Sequence, residues 1–146
     1  MGLAAYRAQG LLHVPAGLTL LADAYRQVQQ QQNGLQQLLE AISVTDRTQG
    51  RYYEPEIHRV RGELFLSMHD DGAAEASFRK AITVAQHQSA KTWELRAVMS
   101  LARLWRDQGK RDEARGLLAP VYNWFIEGFD TDDLKKAKIL LDALAS

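Results

Sequence analysis

The chain has 146 residues, enough for one domain with a sizeable core; 46% of them are apolar and 25% charged. Its 18 Lys and Arg balance 18 Asp and Glu, and that neutrality argues against general nucleic-acid binding, which rests on phosphate neutralisation. There is no cysteine, which excludes disulfides, a thiol nucleophile and cysteine-based zinc or iron–sulfur sites. No apolar run is long enough to span a bilayer, and Arg7 and His13 interrupt any hydrophobic segment of a signal peptide. Composition therefore predicts a soluble, cytoplasmic, compact domain.

In chain order, apolar residues recur at spacings of three and four. Ile57, Val60, Leu64, Phe65 and Met68 form one such stripe, and Val98, Leu101, Ala102, Leu104 and Trp105 another. This is the period of helices, not the alternation of strands, so the chain is predicted to be all-α. Residues 3–9 read as the end of a helix whose beginning is missing. Helix pairs are then predicted at 16–28 with 32–48, at 53–68 with 73–88, and at 92–107 with 111–127. A last helix is predicted over 131–144, where Asp130 or Thr131 can cap it and the acidic residues suit its N-terminus.

Compared with itself, the chain repeats at a shift of 40 residues without a gap. Ala22, Gly62 and Ala102 align as small residues. Tyr25, Phe65 and Trp105 align as aromatics. Gly34, Ala74 and Ala114 are small again, Leu38, Phe78 and Leu118 large, and Ala41, Ala81 and Val121 close the unit. Gly10, Gly50 and Ala90 mark the boundaries, giving a partial unit at 1–10, units at about 11–50, 51–90 and 91–130, and a capping helix at 131–146 within one domain. A small residue beside a bulky one lets two helices cross closely. Pairs of this kind cannot bury their faces alone, so copies stack into a solenoid. The register puts Gly34 inside a helix at a close-packing position, against the turn that Asn33-Gly34 suggests locally.

The order small, aromatic, small, large, small resembles the tetratricopeptide repeat, whose usual period is about 34 residues. The third unit fits that pattern best, through Leu101, Ala102, Trp105, Gly109, Ala114, Leu118 and Val121. The second departs at Arg61, where leucine is usual, and at His69, where a turn glycine is usual; the first has Gln29 at that turn position. Two longer stretches, YEPEIHRVRGELFL from Tyr53 to Leu66 and the segment from Ala73 to Leu144, resemble more. In them SLARLWRDQGKRDEARGLLAPVYNWF and EGFDTDDLKKAK are the specific parts. They resemble the C-terminal repeat region of bacterial multidomain regulators that carry an adenylate/guanylate cyclase or DNA-binding domain and an AAA- or STAND-type ATPase. The resemblance implies a C-terminal helical sensor or interaction domain in signal transduction. It carries no enzymatic residue onto this chain.

Motif inspection agrees. Gly109-Lys110 lacks the upstream glycine and the Ser or Thr of a phosphate-binding loop, and Gly109 reads as a turn residue. His13, His58, His69 and His87 are scattered, so no metal site is expected. His69-Asp70-Asp71-Gly72 reads as an interhelical loop. A calcium loop starting at Asp130 would need glycine and glutamate where Lys135 and Leu141 stand. Trp93, Trp105 and Trp124 are expected in the core, and Arg61 is expected to snorkel or to pair with Glu94. No catalytic residue, cofactor or metal is expected.

The remaining signal is for binding. In a tetratricopeptide-like solenoid the first helices of the pairs line a concave groove. Arg26, Arg59, Glu63, Arg96, Met99, Arg103 and Arg106 are predicted to face it. Residues 91–111 hold six Lys or Arg against Glu94 and Asp107. The expected partner is a protein or acidic peptide, or a neighbouring domain of a longer parent chain, held through arginine forks. Neither nucleic acid nor membrane is expected to bind. The alternative is a stand-alone adaptor, a homodimer joined through the open end of its solenoid.

Overall fold

The computed structural model describes the backbone of residues 3–145 and the side chains of residues 14–145. Among them the chain forms seven α-helices: α1 Leu3–Gln27, α2 Gln31–Thr48, α3 Glu54–Ser67, α4 Asp71–His87, α5 Lys91–Asp107, α6 Arg111–Trp124 and α7 Asp132–Ala145. None is long and apolar enough to cross a membrane.

The helix ends have local causes. Pro55 stands in the first turn of α3, where its missing N–H costs nothing. The Asp70 carboxylate accepts a hydrogen bond from the Ala73 amide at 3.1 Å and caps α4, so of the expected interhelical loop His69–Gly72 only His69 and Asp70 lie between helices, while Asp71 and Gly72 open α4. Left-handed backbone recurs with the sequence repeat: Gln29, His69 and Gly109 have φ of 61°, 61° and 81°, and Gln49 and Ser89 have 59° and 54°. Gly109 takes this conformation without strain, whereas the other four carry a Cβ into it.

One predicted boundary is absent. The helix expected to end near residue 9 and the one expected to start at 16 are a single helix, α1, which runs through Gly10 and Pro15. A proline inside a helix removes one backbone hydrogen bond but does not forbid continuation when the surroundings hold the helix. Pro15 is buried, and the Thr19 hydroxyl donates to its carbonyl at 2.6 Å. Pro120 likewise lies within α6.

Consecutive helices pack against one another. In addition α1 touches α3, α3 touches α5, and α5 touches α7, while α2, α4 and α6 do not approach each other. The odd helices thus form a continuous row. The core is three adjoining clusters instead of one centre. Ala22, Leu38, Ile57 and Leu64 join α1, α2 and α3. Ala74, Phe78, Leu101 and Leu104 join α4 and α5. Leu95, Ala102, Leu118 and Leu140 join α5, α6 and α7.

The small positions of the repeat are all buried: Ala22, Ala102, Ala74, Ala114, Ala41 and Ala81 are at 0% exposure, with Gly34 and Gly62 in the same class. Gly34 lies within α2, and a Cβ there would stand 3.1 Å from the Ala22 carbonyl oxygen. Leu134, Ala137, Leu140 and Leu144 form the buried face of α7.

The tryptophans depart from expectation. Trp93 and Trp105 are half-buried, and Trp124 is 57% exposed. The Trp105 indole N–H donates to Glu75 at 2.9 Å, and that bond, with Arg79 beside it, holds the Glu75 carboxyl below its ordinary pKa. Trp93 meets Tyr52 and Tyr53 edge-on, and Trp124 packs edge-on against Phe125. Each indole needs a wet side for its polar edge or a cation, which the centre of a helix pair does not offer.

Candidate functional site

The residues predicted to line a groove lie on the odd helices: Arg26 on α1, Arg59 and Glu63 on α3, and Arg96, Met99, Arg103 and Arg106 on α5. At its centre is a carboxylate that the sequence reading missed. Glu56 is 3% exposed, and both its oxygens accept from Arg59 at 2.9 Å. Arg96 Nε reaches the same carboxylate at 3.2 Å. Arg59 also faces Glu63 at 3.8 Å, and Glu63 accepts from the Ser100 hydroxyl at 3.0 Å. Arg96 extends the network to Asp133 on α7 at 4.0 Å and lies over the Trp93 ring.

Burial works against the charge of Arg59, but the hydrogen bonds and attraction of Glu56 outweigh it, and its pKa rises. Tyr53, beside Glu56, is raised above its ordinary value by burial and by that negative charge. The network ties α3 to α5 and α5 to α7. A bidentate Arg–carboxylate pair fixes geometry as well as charge, so the register of the odd helices is held by polar contacts over the apolar ones.

Arg59, Glu63 and Arg96 are therefore engaged within the molecule. Arg26 pairs with Asp23 at 2.8 Å on its own helix. Arg106 pairs with its neighbour Asp107 at 3.1 Å. Met99 is not in a groove: it is 3% exposed and belongs to the cluster that joins α5 to α6 and α7. The stripe geometry places position 99 beside Leu95 and Ala102, on the face of α5 that enters the cluster shared with α6 and α7. Arg103 alone of the charged members of the set makes no ion pair or hydrogen bond among the described residues. Burial lowers its pKa, and Arg106 and Arg59 add to that against the pull of Glu63.

Arg61 does not pair with Glu94. It lies over the Phe65 ring at 5.5 Å, while Glu94 is held by Lys91 at 3.1 Å and by Gln86 at 3.2 Å. Arg61 and Phe65 separate two cavities: one of about 190 Å³ against α2, lined by Leu35, Leu38, Leu39 and Ile42, and one of about 400 Å³ against α4, lined by His58, Ser77 and Lys80. Among the described residues no group of three His, Asp or Glu is placed to hold a metal ion.

No protein-family model matches the chain, and no curated protein matches it significantly.

Proposed function

We propose that this chain is a tetratricopeptide-like α-solenoid that serves as a protein–protein or interdomain interaction module. The observation that carries the reading is the coincidence of two repeats. The left-handed turns at Gln29, His69 and Gly109, and at Gln49 and Ser89, fall at the same 40-residue spacing as the small and large core positions. The continuous row of α1, α3, α5 and α7 supports it, because stacked helix pairs make contacts of this kind.

Within that reading the odd helices form the concave face, and an acidic segment of a partner or of a neighbouring domain docks there. Arg103 is the residue expected to carry the contact, because the other arginines of the set are already tied to Glu56, Asp23 and Asp107; Arg106, paired only with its exposed neighbour, adds a second cation beside it. The resemblance to the C-terminal region of cyclase- and ATPase-bearing regulators makes a signalling role in the cytoplasm the natural setting. No ATP turnover or cyclase activity is expected from this domain alone.

The test is titration of the purified protein with a fluorescent glutamate-rich peptide at low and moderate salt. Saturable binding that is lost in Arg103→Glu and Arg106→Glu, with unchanged helicity, supports the reading. Binding that ignores both substitutions removes the groove assignment, and turnover of ATP by the isolated chain overturns the non-enzymatic reading.

A second reading, self-association, rests on Leu20 and Leu21, which are 67% and 42% exposed on α1. Paired exposed leucines on a helix flank favour burial against a second copy. Sedimentation that shows a dimer dispersed by Leu20→Lys supports it; a monomer at high concentration rules it out.

A further inference from the structure

The 40-residue register provides an internal comparison. At positions where the third unit has Val98, Leu101 and Leu117, the second has His58, Arg61 and Ser77. In the third unit these residues close the space between α4, α5 and α6: Val98 is 1% exposed, Leu101 is 0% exposed, and Leu117 packs on the same clusters. In the second unit the corresponding space is open, a cavity of about 400 Å³ lined by His58, Arg61, Phe65, Ala73, Ala76, Ser77 and Lys80. A volume of that size falls within the range of small-ligand sites.

Its lining is one-sided in charge. Arg61 and Lys80 contribute two cations and no carboxylate lines the cavity. Neither cation has an ion-pair partner among the described residues, where Arg61 has only the Phe65 ring. His58 and Ser77 are each 8% exposed, and neither makes a side-chain hydrogen bond among the described residues. His58 and Ser77 are nearly buried side chains whose polar atoms open onto the cavity, and Arg61 and Lys80 stand at its wetter side, so four unpaired polar groups that converge on one cavity describe the complement of a ligand. Two free cations match a dianion. The arginine fork, the ammonium group and the hydroxyl offer more donors than the two oxygens of a carboxylate fill, and a phosphate presents three oxygens. Phe65, Ala73 and Ala76 leave an apolar wall, and the cavity is too large for a bare ion.

We propose that the cavity between α3 and α4 binds a small phosphomonoester with an apolar body, its phosphate held by Arg61, Lys80, Ser77 and His58. The site lies on the side of α3 opposite Glu56, Arg59 and Glu63, so it does not depend on the odd-helix face as a docking surface.

The test is an NMR titration of the whole chain with phenyl phosphate, benzoate and phenol, read at His58 and at the Ser77 amide. Phenyl phosphate is expected to give saturable shifts at both residues, with benzoate about tenfold weaker and phenol inert. Arg61→Leu copies the leucine found at 101 and is expected to fold at least as stably while weakening phenyl phosphate about tenfold. Lys80→Ala, at an exposed position, is expected to weaken it without a change in thermal midpoint. Absence of saturable shifts overturns the site. Benzoate that binds as tightly as phenyl phosphate overturns the phosphate assignment, and affinity unchanged in both variants overturns the residue assignment.

Discussion

Gly62 on α3 lies so close to Phe78 on α4 that a Cβ on the glycine would stand 2.4 Å from a ring carbon. The Phe78 ring is wholly buried, so it has nowhere to move. The small-against-large rule of the repeat is here enforced by direct contact. Gly62→Ala is expected to destabilise by about 1–3 kcal/mol, the usual range for overpacking. Gly116→Ala is the control: nothing lies within 4 Å of its added methyl, so it is expected to stabilise α6 by up to about 1 kcal/mol. Urea unfolding of the two variants measures both, and equal effects would refute the packing account.

Glu56 is the buried anchor between Arg59 and Arg96. Glu56→Gln keeps the shape, leaves two arginines without their common anion and is expected to cost about 2–4 kcal/mol. Arg96→Met, which removes one of two cations and spares the bidentate pair, is expected to cost less. Chemical denaturation of both variants gives the order, and the reverse order would displace Glu56 from the centre of the network.

His58 makes stability depend on pH. Burial, with Lys80 on α4 and Arg61 on α3 beside it, lowers its pKa from 6.5 to about 4. The folded state thus disfavours the imidazolium that the unfolded chain forms freely. Its contribution is complete above pH 6.5 and is lost as pH falls from there toward 4. The loss amounts to at most about 3 kcal/mol. Denaturation midpoints between pH 7 and pH 4.5 are expected to fall, and His58→Val, which copies Val98, is expected to flatten the curve in that window. A variant with an unaltered slope would assign the pH dependence to other groups.

His69 holds φ at 61° where the matching residue of the next unit is Gly109 at 81°. His69→Gly removes the Cβ from a left-handed conformation, and the gain exceeds the entropy that glycine adds to the unfolded chain. A net stabilisation of roughly 0.5–1 kcal/mol is expected. A thermal melt shows it as a higher midpoint; a lower one would mean that the imidazole makes a contact worth more than the strain.

Helix type, most helix limits and the buried small positions were legible in the sequence, because each depends on residues within one unit and its copies. Gly34 is the clearest case: local turn chemistry pointed one way, the 40-residue register another, and the close approach of Ala22 and Leu64 bears out the register. The continuity of α1 was not legible, because a proline raises the local cost of a helix while the packing that offsets it is distant in sequence.

The side chains of the site divide the same way. The periodicity of α3 and α5 alone put Arg59, Glu63, Arg96 and Arg103 on a shared face. It could not show that Glu56 is the carboxylate that Arg59 and Arg96 share, since that needs the separation of α3 from α5. Nor could it separate Met99, which packs in the cluster shared by α5, α6 and α7, from the arginines around it. The sequence by itself determined an all-helical chain, because the period of its apolar residues is a local property. Only the tertiary structure decided which charges pair with each other and which, at Arg61, Lys80 and Arg103, are left without an ion pair among the described residues, because ion pairing depends on distances between helices that no single helix contains.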